Sequence, residues 1–411
     1  MLQNIMGSIS KKAGSLSLTV LCSALILLAG CDSPGSVGSG LTDSGAEVQV
    51  VKDTITVTEI HQFNSFSGNY RAISAGQFND PLFGEISATS FLKPSLPSAD
   101  TLFAQGGALM KLRLLYSTSM VYGDTLSSQT FDIFPITEYW RANAHKIGDN
   151  LQINENKKVA SFTLGEVDSL EIILDEQWVN QHYRPYAEAD SSAIDFNGSI
   201  DSTYKNQEYG LAMVPVNSNK VIPFDMSSTS FVIENAEDTL VVPPNQWAYH
   251  RSRKNQPAPP SGTATIHNML EQALSFSLDL EAIDVSGPNI SRAELIFYQD
   301  QSALEQSLTG AEQRPQPQVA YLHYIDPAET PDNLLPGNPV SQGTFSTEDN
   351  AFHFELTQFM QRSFVNGLAE EKDFYITLPN NGSVQSSLLF ADPASIHPPE
   401  LIITYLKNTN S

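Results

Sequence analysis

Carboxylates beside indoles are the first residues in this sequence whose types and spacing could do chemistry. Glu138 stands two residues before Trp140, and Asp175-Glu176 precede Trp178. Two carboxylates can hydrolyse a glycosidic bond when a fold holds them at a defined separation across a cleft. A chain with 46 acidic residues offers many such neighbours by composition alone. The run Asp195-Phe196-Asn197-Gly198-Ser199-Ile200-Asp201 sets three oxygen side chains around a glycine turn, faintly like a calcium loop. Calcium needs six or more oxygens and the expected bidentate glutamate is missing, so a polar insertion is the favoured reading. The third set is aromatic: Trp178, Tyr183 and Tyr186 lie just before that insertion, with Trp247 and Tyr249 further on. Aromatic faces can stack on the C–H face of a pyranose ring, which makes Trp178, Tyr183 and Tyr186 candidate ligand-binding residues. Core packing competes for Trp140 and Trp178, which have apolar neighbours. Tyr183 and Tyr186 flank Pro185, which predicts a loop with both rings exposed.

Other chemistries lack their residues. The chain has no Gly-x-Ser-x-Gly elbow, no His-Glu-x-x-His pair of zinc ligands, and no glycine-rich phosphate loop or dinucleotide fingerprint. Its eight histidines are scattered one per segment. Cys22 and Cys31 are the only cysteines, so thiol catalysis, thiolate metal sites and redox chemistry are excluded from the bulk of the chain. The expectation is a non-enzymatic protein with no catalytic residues, no metal site and no cofactor.

The elements that position these residues are strands. Val48 and Val50, then Ile55 and Val57 among threonines, alternate with period two. Leu112, Leu114 and Tyr116 oppose Lys111 and Arg113, and Phe131 to Ile136 and Leu170 to Leu174 continue the signature. Asn79-Asp80-Pro81-Leu82-Phe83-Gly84 predicts a turn with Gly84 at positive φ, most simply a hairpin corner. Asp175 can cap a short helix carrying Trp178, Val179 and His182. Pro243, Pro244, Pro257, Pro259 and Pro260, with the basic run His250-Arg251-Ser252-Arg253-Lys254, read as a linker. That basic run is a solvated loop or a docking site for an acidic partner.

The second half then repeats the first. Leu295 follows Leu112 by 183 residues, Leu356 follows Leu174 by 182, and a short helix begins after each of the latter, with Thr357 as the second cap. The expected fold is all-β: two tandem jelly-roll-like antiparallel β-sandwich modules with short helices. The first module spans 47–236, the linker 237–261 and the second module 262–407.

What precedes them decides where they live. Lys11 and Lys12 precede an apolar run from Leu16 to Leu28, too short to span a bilayer. Leu28-Ala29-Gly30-Cys31 resembles the lipobox of bacterial lipoproteins, in which the cysteine is acylated and becomes the new N-terminus. Residues 1–30 are then a signal peptide, 31–46 a flexible tether rich in Ser, Gly and Asp, and Cys31 a lipid anchor. Two or more acyl chains hold a protein stably on its membrane. The formal charge of the whole chain is −24, which disfavours nucleic acid as a partner. The expected location is the bacterial cell envelope, foremost the outer membrane, with the face left open; Asp32 favours inner-membrane retention in some bacteria.

Two stretches carry a family resemblance. Asp53-Thr54, the turn at Asn79–Gly84 with Ala88, Tyr122-Gly123-Asp124-Thr125, Trp140 and Tyr209-Gly210-Leu211 resemble a family of Bacteroidota-type lipoproteins of unknown function. The closing Pro398-Pro399-Glu400-Leu401-Ile402-Ile403-Thr404-Tyr405, with the short helix before it, resembles DNRLRE-type jelly-roll modules found beside glycan-active enzymes. The first resemblance implies an exported, lipid-anchored, non-enzymatic surface protein without a known ligand. The second implies a module shape compatible with carbohydrate binding, and neither carries over a binding residue. The reading is a surface binding or structural lipoprotein of unspecified ligand. Its alternatives are capture of polysaccharide for an envelope protein partner and, less favoured, a glycan-active enzyme.

Overall fold

The computed structural model describes residues 46–61, 65–97, 102–103, 107–165, 169–189, 200–269, 271–279, 289–324, 338–365 and 371–408. Cys31, the signal and most of the tether lie outside them, as does the Asp195–Asp201 run except Ile200 and Asp201. The alternating segments are strands, and the fold is all-β with a few short helices, as expected from the sequence. In the first half β1 (Ala46–Thr54) and β2 (Val57–His61) precede a hairpin of β3 (Ala72–Asp80) and β4 (Gly84–Pro94). Then come β5 (Leu109–Leu115), β6 (Tyr122–Asp124), β7 (Gln129–Pro135), β8 (Ala160–Leu164) and β9 (Ser169–Ile173). Three helices follow, α1 (Glu176–His182), α2 (Arg184–Ala187) and α3 (Ile200–Gln207). β10 (Leu211–Pro215), β11 (Asn219–Asp225) and β12 (Ser230–Glu234) end this half.

The second half runs in the same order. It opens with β13 (Thr239–Val242) and β14 (Pro244–Lys254), then β15 (Thr263–His267), β16 (Ala273–Asp279) and β17 (Ile290–Tyr298). After α4 (Gln301–Gln306) come β18 (Glu312–Gln313), β19 (Val319–Tyr324), β20 (Ser341–Ser346) and β21 (Ala351–Glu355). α5 (Thr357–Val365), β22 (Glu371–Thr377), β23 (Ser386–Phe390) and β24 (Glu400–Asn408) complete it.

Pairing confirms the repeat. β4, β10, β7 and β8 neighbour one another in that order, and β16, β22, β19 and β20 do the same. β5 lies between β12 and β9 as β17 lies between β24 and β21. Each last strand is split, so that β11 pairs β3 while β12 pairs β5, and β23 pairs β15 while β24 pairs β17. The last two strands of each repeat thus join two different sheets. The register matches as well. Leu112 opposes Ile172 and Leu295 opposes Phe354, while the N–H groups of Leu174 and Leu356 donate to the carbonyls of Met110 and Ala293 at 2.9 and 2.8 Å.

The leading strands depart from the sequence reading. β1 and β2 stand first in the chain, yet β1 pairs along its whole length with β24 and β2 pairs with β16, both in the second repeat. β13 and β14 lead the second repeat, yet they pair with β12 and β4 of the first. The two repeats therefore exchange their leading strands reciprocally. The cores agree: Ile55 is buried with the second repeat, and Val242 and Tyr249 with the first. So 237–261 is no linker, and residues 47–61 do not belong to the first module. The prolines misled because Pro244 is tolerated as the first residue of an edge strand, where a bulge before Gln246 absorbs the irregularity.

The seam between the repeats holds a cluster of buried charges. Asp80 closes the β3–β4 hairpin, and its carboxylate accepts from Leu82 N–H at 2.8 Å, Phe83 N–H at 2.9 Å and the Tyr122 hydroxyl at 2.7 Å. From the second repeat, Arg314 adds two bonds of 2.7 Å. Gly84 ends the turn at φ +76°, and a Cβ there would stand 2.4 Å from the Lys254 carbonyl oxygen. The basic run is neither loop nor docking site. Arg251 and Arg253 lie buried in β14 and pair with Glu271, while Arg251 also donates to Asn268 and Arg253 to the Phe83 carbonyl. Thr357 is the first residue of α5 rather than its cap, and its hydroxyl accepts from Ala293 N–H at 2.8 Å, fastening that helix to β17.

Candidate functional site

The candidate site grows from α1. Asp175 caps it as expected, accepting from Trp178 N–H at 2.9 Å. Residues four apart share a helix face, so Trp178 and His182 stack, with ring centroids 6.0 Å apart and planes 28° apart. One edge of Trp178 packs in the core of the first repeat, and the remaining 7% of the residue's surface lines a cleft.

The opposite wall comes from α3. This helix is polar, but Tyr204 is buried and its hydroxyl donates to the Pro94 carbonyl at 2.9 Å. Lys93 caps the helix end, donating to the carbonyls of Tyr204 and Lys205 at 3.1 and 3.2 Å. Burial pushes its ammonium pKa down to about 8. The chain leaves α3 through Glu208, Tyr209 and Gly210. At Gly210 φ is +86° and a Cβ would stand 2.3 Å from the Leu92 carbonyl oxygen, so only glycine lets the chain re-enter the sheet here.

Between the walls is a cavity of about 290 Å³. Pro135 and Ile136 from the end of β7, and Asn154 and Lys157 from the loop before β8, close it. A neighbouring 240 Å³ cavity shares Pro135, Lys157, Trp178 and His182 with it. Each is smaller than the usual ligand pocket of about 300–1,000 Å³, and together they fall in the lower half of that range. Glu208 is held in place at the rim: its carboxylate accepts from the Tyr186 hydroxyl at 3.1 Å and lies 2.8 Å from His182 Nδ1. Burial, then the charge of Glu208, pushes the Tyr186 phenol up to about 12, so it remains a proton donor through the neutral range. The site thus sets one indole edge beside an ammonium, a carboxylate and the carboxamides of Asn154 and Gln207. That combination can hydrogen-bond the hydroxyls of a polar ligand and give it a small apolar contact.

The sequence candidates fare unevenly. Trp178 lines the cleft. Tyr186 is half-buried behind Glu208, packed against Tyr204 with centroids 5.4 Å apart. Tyr183 is not exposed at all: it is fully buried, edge-on to Phe103 and Tyr204, with its hydroxyl donating to the Ser95 carbonyl at 2.8 Å. Pro185 misled here, because it sits in the first turn of α2, where its missing N–H costs nothing, and not in an open loop. Tyr249 is likewise fully buried, and Trp247 donates to the Tyr70 carbonyl at 2.7 Å.

The carboxylate candidates are dispersed. Glu138 accepts from Gln152 N–H at 2.6 Å, Asp175 is a helix cap, and Glu208 is the one carboxylate among the residues lining the 290 Å³ cavity. Among the described residues no three His, Cys, Asp or Glu side chains are grouped to hold a metal ion. Asp201 pairs with Lys205 on α3. His182, Glu208, Lys157 and Asn154 were not singled out from sequence as site residues. The i,i+4 spacing of Trp178 and His182 was the available signal, as the Asp201–Lys205 spacing was for α3.

No protein-family description matches the chain, and no curated protein does. Among solved structures, a serine-rich repeat adhesion glycoprotein from Streptococcus agalactiae aligns over 90% of this chain and 98% of its own at 8% identity, with a TM-score of 0.17. The VP2 subviral particle of infectious bursal disease virus aligns over 88% of this chain and 77% of its own at 10% identity, with a TM-score of 0.11. Both scores are too low to argue a shared fold. No described helix is long and apolar enough to cross a membrane.

Proposed function

We propose that the chain is an exported bacterial lipoprotein, anchored through Cys31 in the cell envelope, that binds a saccharide without transforming it. The cleft carries this reading: Lys157, Glu208, Gln207 and Asn154 converge on one space that the small exposed part of Trp178 also lines. A polysaccharide captured there could be handed to an envelope enzyme or transporter.

A glycan-array screen of the chain from Asp32 onward, run beside Lys157→Ala, tests the binding half of the proposal. The expected outcome is binding to a defined glycan class, weakened about tenfold by loss of one charge-assisted hydrogen bond. Silence across diverse glycans would leave a scaffold or protein-partner role instead. The anchor is tested separately. Cys31→Ala should move the protein from the membrane to the soluble fraction of the envelope, and unchanged fractionation would refute acylation at that position.

A further inference from the structure

A second cavity, of about 400 Å³, opens on the other side of α3. The two clefts share the helix as a wall: Tyr204, Gln207 and Glu208 face the Trp178 cleft, while Ser202, Lys205 and Asn206 line the second. Beside Tyr139 and Arg141, Trp140 fastens that segment to the chain leaving α3, donating from its indole to the Tyr209 carbonyl at 2.7 Å. The lining of the second cavity runs against the composition of the chain. Acidic residues outnumber basic ones by 46 to 22, yet this groove contains Arg141, Lys205 and no carboxylate. Five carboxamides complete it, among them Asn143, Asn206 and Asn245. Tyr139, 46% exposed, lies beneath the Arg141 guanidinium at 5.5 Å from its ring centre.

We infer that this groove binds the carboxylate-bearing unit of an acidic saccharide, with Arg141 as the principal contact. Each part of the lining answers a part of that ligand. A guanidinium offers a planar fork of donors matched to a carboxylate. Carboxamides both donate and accept, as an array of hydroxyls requires. Tyr139 positions the fork, its hydroxyl accepting from Arg141 Nε. Lys205 contributes less, because it already pairs with Asp201 one turn earlier. An acidic peptide would want the fork but not the amide array, and the only residue in this lining with neither charge nor polar side chain is Ala142. The strongly acidic surface disfavours a long polyanion, which restricts the ligand to isolated acidic units in an otherwise neutral glycan. The inference rests on the saccharide reading of the Trp178 cleft and extends it. A helix is about 10 Å across, so one oligosaccharide can cross α3 and place a neutral unit in one cleft and an acidic unit in the other.

Calorimetric titration of the chain from Asp32 onward with an acidic oligosaccharide and its carboxyl-reduced counterpart tests this. The acidic form should bind at least tenfold more tightly, and Arg141→Ala should abolish that difference by weakening the acidic form far more than the reduced one. Equal affinity for both forms, or a preference for the acid that survives Arg141→Ala, would overturn the inference and leave the Trp178 reading standing. Acid-selective binding lost in Arg141→Ala but indifferent to Lys157→Ala would support this groove and remove the Trp178 cleft from the account. Displacement of the acidic sugar by polyglutamate at matched charge would show that charge alone is read, and would also overturn it. Arg141 is solvent-exposed, so an unchanged melting temperature is expected as the folding control.

Discussion

Deleting Ala46–His61 should unfold the second repeat and leave the first one folded, although the deleted strands adjoin the first repeat in sequence. The reason is the exchange of leading strands. β1 pairs with β24 over nine residues and β2 pairs with β16, so their loss leaves both strands as bare edges. It also removes Ile55 from the second core, where burial of one such side chain contributes about 1.5–3 kcal/mol. Half-buried Val51 and Val57 go with it. The combined loss is comparable with the whole stability of an ordinary domain, about 5–15 kcal/mol. Hydrogen exchange read by mass spectrometry resolves the two halves. Protection should fall across Thr263–His267 and Ile290–Tyr298 and persist in Ala72–Asp80 and Leu109–Leu115. Loss centred on the first repeat would refute the exchange. By the same reasoning a fragment ending at Asn235 lacks β13 and β14, and with them Val242 and Tyr249, and should fail to fold.

The second large effect belongs to Asp80. Asp80→Ala should destabilise the protein by about 3–5 kcal/mol, because it strands the Arg314 guanidinium in a buried seam. Arg314→Met should cost less, since the abandoned carboxyl can protonate. Acid unfolding tests the same site. Burial alone would raise the Asp80 pKa, but the hydrogen bonds and charge of Arg314, with help from Tyr122 and Leu82, hold it below its ordinary value. A carboxyl depressed in the folded state contributes stability that is present above its unfolded pKa of about 3.9 and lost as pH falls through the folded value. Glu271, depressed mainly by Arg253 and Arg251 against its own burial, behaves alike.

Three histidines, two buried and one half-buried, act earlier. His145, His250 and His267 are all lowered, first by burial, so the unfolded chain takes up protons that the folded one refuses. Stability should therefore decline as pH falls below about 6.5 and then more steeply below about 4. Asp80→Asn should flatten the lower limb and spare the upper one. A variant that unfolds on the wild-type acid profile would contradict this assignment.

Local patterns were legible in the sequence, and partners were not. Alternation located β5, β7, β9 and β17, Asp175 marked the start of α1, and the Asp-Pro-Leu-Phe-Gly run marked the hairpin. The 182- and 183-residue offsets exposed the repeat because equivalent core positions must recur when a sandwich is duplicated. Strand exchange escaped, since β1 and β13 carry the same pattern whichever repeat they complete. Pro244 hid β14 and Pro185 hid a buried tyrosine, because proline is compatible with an edge strand and a first helical turn as well as with a loop. The cleft was half visible: the sequence singles out Trp178, which lines it, but the other lining residues come from loops and a polar helix brought together only by the folded sheet.

Intrinsic fluorescence tests the binding claim most directly, because the chain has only three tryptophans and one of them lines the cleft. Titrating an oligosaccharide that binds the chain should change the emission of the wild-type protein. That change should vanish in Trp178→Phe and persist in Trp247→Phe, whose ring serves the Tyr70 carbonyl and not the cleft. A signal that survives Trp178→Phe at undiminished affinity would contradict the account and place the ligand elsewhere.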